Sequence, residues 1–99
     1  MSKFGDIISK SDVVLVDFFA TWCGPCKALG PILENVSKQR GEKVKIIKID
    51  VDKNQGIASK LMVRGVPTMI LYKAGKQVWR QSGVVPENEL IKLIDQYSK

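Results

Sequence analysis

The apolar and polar positions of the chain alternate between two periods, and each change of period marks an element. Phe4, Ile7 and Ile8 recur at helical spacing and predict a short helix over residues 2–9, broken by Ser11-Asp12. Residues 13–19, Val-Val-Leu-Val-Asp-Phe-Phe, form a nearly unbroken apolar run rich in β-branched and aromatic types. Such a run predicts a strand covered on both faces. Leu29, Ile32, Leu33 and Val36 make one stripe and predict the strongest helix, over 25–40. Pro25 suits its first position, where the backbone N–H has no partner. Pro31 lies inside it, removes the bond to the Lys27 carbonyl, and is expected to kink it; Gly41 ends it.

Val44 to Asp50 predicts the next strand, and strand–helix–strand at this spacing is a βαβ unit with parallel strands and a right-handed crossover. Ala58, Leu61 and Met62 predict a helix over 55–63, interrupted by Gly65-Val66-Pro67. Thr68 to Lys73 and Gln77 to Ser82 read as two strands around Ala74-Gly75-Lys76, a hairpin signal. Leu90, Ile91, Ile94 and Tyr97 predict a closing helix over 87–98, with Pro86, Glu87 and Glu89 favouring its N-terminus. The order α-β-α-β-α-β-β-α implies an α/β fold: a mixed sheet with helices on both faces. No repeat or linker divides it, so residues 1–99 are expected to form one domain.

Composition changes this picture only by exclusion. An apolar share of 44% with 26% charged residues is ordinary for a soluble globular protein. No apolar stretch approaches the roughly 20 residues of a membrane helix. The opening Met1-Ser2-Lys3-Phe4-Gly5-Asp6 carries no apolar signal core, so a cytoplasmic location is the expectation. The net charge of +6 is scattered, without a dense run or interleaved aromatics, which reads as a solvated surface rather than a nucleic-acid face.

The chemistry concentrates at Trp22-Cys23-Gly24-Pro25-Cys26-Lys27, between the apolar strand and the strongest helix. Both cysteines of the chain lie here, two residues apart. Cys23 precedes the helix, where free N–H groups and the dipole favour a thiolate. Cys26 is one turn in and is expected to be more buried. Cys23 is therefore the expected attacking thiol and Cys26 the resolving one. Three plainer readings compete. A structural disulfide closing so small a ring removes little chain entropy, on the order of 2 kcal/mol. A zinc site needs two more ligands, normally Cys or His, and the chain has none to offer. Two ordinary buried thiols leave Gly24-Pro25 at a helix start unexplained.

Asp17 is the second unusual residue, a carboxylate inside an apolar strand. Burial raises such a group's pKa, and Asp17 is placed to take the proton of Cys26 from below, or else it is a solvated strand end. Lys48 shares a strand face with Val44 and Ile46, with its ammonium either near Asp17 or extended to water. Val66-Pro67-Thr68 can turn through a cis bond, although composition alone favours trans. Trp22 is either core or a contact surface beside the thiols, and Gly83 permits close approach of another backbone.

These residues resemble the thioredoxin family. Val16 to Lys27, with Pro31 downstream, is similar to its active-site block. Lys48-Ile49-Asp50-Val51-Asp52 resembles its central strand, and Arg64-Gly65-Val66-Pro67-Thr68 its proline loop, over roughly residues 4–98. The resemblance implies a thioredoxin fold with cis-Pro67 facing the dithiol. It implies catalysis by Cys23 and Cys26, with Asp17 assisting proton transfer and Lys48 modulating it. Trp22, Gly24, Pro25, Val66, Pro67, Gly83 and Val84 are implied to line a groove for substrate backbone.

No cofactor or metal is implied beyond the redox-active Cys23–Cys26 pair. Disulfide-containing proteins are the implied substrates. Thioredoxin reductase is the implied reductant, and NADPH acts through it without binding this chain. A monomer is expected. Two departures stand out: the family's first strand is expected to be missing, leaving four strands and an exposed edge beside residues 44–50, and Phe19 stands where Trp is usual. The leading function is protein-disulfide reduction; a disulfide oxidase or isomerase, or a non-catalytic partner-binding module, are the alternatives.

Overall fold

The computed structural model describes residues 3–99. Along the chain run α1 (Lys3–Ile8), β1 (Val13–Phe19), α2 (Gly24–Arg40), β2 (Lys45–Asp50), α3 (Gln55–Lys60), β3 (Thr68–Lys73), β4 (Lys76–Ser82) and α4 (Glu87–Tyr97). The four strands form one mixed sheet in the order β2-β1-β3-β4. β1 pairs parallel with β2 and antiparallel with β3, and β3 pairs antiparallel with β4. The expected α/β order, four-stranded sheet and edge position of residues 44–50 are all met. Residue 2, where the first helix was expected to begin, lies outside the described residues.

The unbroken apolar run explains why β1 is central. Val13 and Leu15 face a core with Leu29, Leu33 and Val36 of α2 and Leu90 and Ile94 of α4. Val14, Val16 and Phe18 face a second core with Ile70 and Tyr72, closed by Phe4 and Ile8 of α1 and Ile57 of α3. A strand alternates its side chains, so only a sequence apolar at successive positions can feed both layers. Each fully buried Leu or Phe contributes about 1.5–3 kcal/mol. The α2–α4 layer is further joined by Arg40, whose Nε and Nη2 donate to Asp95 at 2.7 and 3.1 Å.

α2 remains one helix from Gly24 through Pro31 to Arg40. Gly41 ends it for a reason other than a left-handed turn: a Cβ there meets the Ser37 carbonyl oxygen at 2.6 Å. β2 is an edge strand, with Lys45 and Lys48 exposed; lysines of this kind discourage pairing with another chain.

The helix expected over 55–63 stops at Lys60. Met62 adopts φ +57, and its N–H and that of Val63 turn back to the Ser59 and Ala58 carbonyls. This is a left-handed C-cap of the kind glycine usually supplies.

The hairpin loop is also shorter than expected. Ala74 and Gly75 alone span it, both at positive φ (51° and 79°), as a two-residue turn matched to strand twist requires. A register irregularity at Leu71/Tyr72 leaves Val78 unopposed, a bulge that no sequence pattern announced.

Ala74 is the poorer half of that turn, because a Cβ disfavours the left-handed region while Asn tolerates it. Ala74→Asn is expected to stabilise the fold by about 0.5–1 kcal/mol, raising Tm by about 2–6 °C in a thermal melt. An unchanged or lower Tm would show that the turn carries no such strain.

Candidate active site

β1 delivers the reactive segment. After Phe19 the buried Ala20 packs beside both cysteines, and its carbonyl accepts the Cys23 N–H at 3.2 Å. Cys23 is the N-cap of α2, with extended backbone and Sγ 3.1 Å from the Cys26 N–H. The sulfur thus occupies the place where a serine or aspartate oxygen normally caps a helix, and it accepts from an otherwise unpartnered N–H. That position favours negative charge on Cys23 once the bond is reduced. Cys23 and Cys26 are joined as a disulfide, their Cα atoms 5.3 Å apart.

Cys26 is not the deeper sulfur residue. Cys23 is 3% exposed and Cys26 7%. Cys23 is covered from the far side of the site, where the Val66 carbonyl oxygen lies 3.7 Å from its Sγ and Val66 packs on the cysteine cluster. Helical position alone could not reveal that lid, which comes from a distant loop. The Val66–Pro67 bond is cis, as the resemblance implied.

Beneath the pair sits Asp17, 1% exposed, on the same sheet face as α2. Its Oδ1 has no hydrogen-bond partner among the described residues. Burial pushes its pKa from 3.8 up to about 6, and the charge of Lys48 pulls it back only in part. Lys48 stands opposite Asp17 in the β1–β2 register, but its side chain is exposed, with Nζ 5.9 Å from the Phe19 ring centre. A cavity of about 370 Å³ is lined by Asp17, Cys26, Lys48 and Gly30, among others. Asp17 and Cys26 therefore share one space, wide enough for water to carry a proton between them.

The expected groove residues surround the cysteines unequally. Trp22 is 70% exposed and Val84 42%, and Gly24 and Pro25 are also exposed. Val66 is half-buried, while Pro67 is buried, so the loop offers its Val66 edge more than the ring. Gly83 donates its N–H to the Pro67 carbonyl at 2.8 Å, but the close approach expected of it is not what calls for glycine: a Cβ there would meet nothing within 4 Å, and the requirement is its φ of +91°.

Three supporting residues escaped the sequence reading. Asp52 accepts the Trp22 Nε1–H at 2.9 Å and holds the exposed indole beside the dithiol. Thr68 Oγ1 donates to the Gly65 carbonyl at 2.6 Å and lies 2.9 Å from Ser82 Oγ, bracing the loop from within the sheet. Asp52 had a visible signal, an acid following a strand that ends in another acid, but its partner lies thirty residues away. Thr68 and Ser82 had none.

The family model described as Thioredoxin matches residues 1–96. The chain is similar to chloroplastic thioredoxin Y of Oryza sativa, with 44% identity over 95 residues, covering 95% of this chain and 56% of that protein. It is similar also to thioredoxin of Bacillus subtilis, 45% identical over 89 residues, covering 90% of this chain and 86% of that one. Among solved structures, a single-site mutant of thioredoxin from Halobacterium salinarum superposes with a TM-score of 0.91 at 43% identity. That likeness covers 100% of this chain and 86% of the other.

The burial of Asp17 makes stability depend on pH in a defined direction. Its folded pKa lies above the unfolded value, so the native state binds the extra proton, and stability falls as pH rises from about 4 through 6. At pH 7 the buried charge costs about 3 kcal/mol relative to a neutral group, from the shift of 3.8 to about 6. Asp17→Asn is expected to be more stable than the parent by about 2–3 kcal/mol at pH 7.5 and nearly equal to it at pH 3.5, in urea titrations of the oxidised proteins. A difference independent of pH would mean that Asp17 titrates like a solvated carboxylate.

Proposed function

The chain belongs to the thioredoxin family, and from that membership we propose that it reduces protein disulfides by dithiol exchange at Cys23 and Cys26. The observation that carries this reading is the bonded pair at the N-terminus of α2, with the Cys23 sulfur in the capping position. In the reduced protein the Cys23 thiolate attacks one sulfur of a substrate disulfide. The substrate bond breaks, a Cys23–substrate bond forms, and the departing sulfur leaves as a thiolate that takes a proton from solvent. Cys26 then loses its proton into the shared cavity, with the Asp17 carboxylate as acceptor, directly or through water. The Cys26 thiolate attacks the Cys23 sulfur and releases the second substrate thiolate. Two electrons have passed to the substrate, and the chain is left with the disulfide seen here.

Lys48 serves as a charge beside this space that eases ionisation of Asp17. Trp22, Gly24, Pro25, Val66, Pro67, Gly83 and Val84 form the rim against which extended substrate backbone lies, with Val66 offering its backbone beside Cys23. Thioredoxin reductase returns the dithiol, drawing on NADPH that does not touch this chain. The compartment in this reading is the cytoplasm. A single catalytic pair without structural disulfides suits a place where thiols are kept reduced. The working unit is a monomer.

Serine variants test the two thiol roles. Cys23→Ser is expected to lower insulin-disulfide reduction by at least about a thousandfold, while Cys26→Ser accumulates a mixed disulfide visible by mass. Full partner function in the double serine variant would instead mean a binding module. A reduction potential above about −200 mV against glutathione would mean an oxidase or isomerase. For Asp17→Asn, the expected change is slower release from the mixed disulfide with little effect on the first attack. Equal rates of both steps across pH 6–9 would remove Asp17 from the mechanism.

A further inference from the structure

Arg80 lies on β4, opposite Ile70 of β3, and belongs to none of the groove residues. Its guanidinium reaches the end of α3. Nη1 donates to the Leu61 carbonyl at 2.5 Å and Nη2 to the Met62 carbonyl at 2.7 Å. Along the sequence it is one of sixteen basic residues, with nothing to set it apart.

The backbone at that point needs an external partner. The Ile57, Ala58 and Ser59 carbonyls are taken by the N–H groups of Leu61, Val63 and Met62 as the helix closes. Beyond them, the Leu61 and Met62 carbonyls accept from Arg80. Met62 holds a left-handed φ of 57°, which costs a side-chain-bearing residue roughly 1 kcal/mol or more. Its side chain is 61% exposed and gains little by burial. Among the described residues no carboxylate pairs with Arg80, so its charge is committed to the carbonyl end of the helix, where the dipole is negative.

From Met62 the chain runs through Val63, Arg64 and Gly65 into Val66 and Pro67, whose far side is also tied to β4. Gly83 N–H donates to the Pro67 carbonyl, and Ser82 Oγ meets Thr68 Oγ1. The loop is therefore held by β4 at both ends; at the near end Arg80 supplies the hydrogen bonds from β4, while Leu61 and Val63 pack on the second core. We propose that Arg80 is a positioning residue for disulfide exchange. It fixes the approach to Val66–Pro67 so that the Val66 edge stands at the right distance from Cys23 to align substrate backbone. This rests on the reading above that substrate lies along Val66. Releasing the near end leaves the sulfurs and Asp17 untouched but lets the aligning edge drift, which weakens substrate positioning rather than thiol chemistry.

The test compares the full-length chain with Arg80→Ala and Arg80→Lys. Arg80→Ala is expected to raise the KM for insulin about five- to tenfold with kcat within about twofold, the signature of lost binding alignment. Arg80→Lys, which keeps the charge but cannot present a planar fork to two carbonyls, is expected to fall between. The pH profile of Cys23 alkylation is expected to be the same in all three reduced proteins. Amide exchange at Met62 and Val63 is expected to quicken about tenfold in Arg80→Ala, with Leu90 and Ile94 of α4 unmoved. An unchanged KM, an unchanged exchange rate at Met62 and Val63, or a lysine variant no better than alanine overturns the proposal while leaving disulfide reduction standing. Failure of the parent protein to reduce insulin overturns both.

Discussion

The reactive end of this protein depends on the burial of β1 on both faces. Five apolar residues, Val13 through Val16 and Phe18 beyond Asp17, are each removed from water. This fixes the strand's height and rotation within the molecule, since a slip by one residue would exchange the contents of the two cores. Asp17 is carried into the interior by that register rather than by any partner of its own. Cys23 is set at the tip of α2 by the same strand, through the short Ala20–Trp22 turn. The cost of the buried carboxylate and the placement of the sulfur thus have one origin, the packing of a strand that cannot shift.

The electrostatics follow from where β2 lies. Because β2 is the edge strand, Lys48 stays exposed and meets Asp17 only as a charge across the cavity they both line. Burial therefore outweighs attraction, and the carboxyl is held at about 6. A fully enclosed ion pair would have held it low and left it a poor proton acceptor near neutrality. Phe19 contributes by lying under the lysine at the mouth of this cavity.

Much of this was legible in the chain. The double-faced strand, the helix with Pro25 at its start and the dithiol at their junction were readable because each rests on local period or on residues adjacent in sequence. The four strands of the mixed sheet were readable from the pattern as well, whereas the cis bond was reached through resemblance, since composition alone favoured trans. What could not be read depends on partners far along the chain. The lid on Cys23 comes from Val66, the hold on Trp22 from Asp52, and the brace on the loop from Ser82. The early end of α3 was misjudged because Leu61 and Met62 continue the apolar period. Here the backbone cap prevails over the periodicity, and a methionine takes a conformation that usually calls for glycine.

The site is in this sense made of two halves with different supports. β1 and α2 carry the sulfurs and the buried carboxylate that shares a cavity with Cys26. β3 and β4 hold the Val66 edge beside Cys23, through the Thr68 brace, the Gly83 contact and the Arg80 fork. The halves meet where the Val66 carbonyl stands 3.7 Å from the Cys23 sulfur. β1 also pairs with β3 from Val13–Lys73 to Phe18–Thr68, so the two halves share one seam, and the loop between α3 and β3 carries the Val66 edge across to Cys23. Fastening both loop ends to a strand outside the redox centre separates what supports the Val66 edge from what supports the thiols.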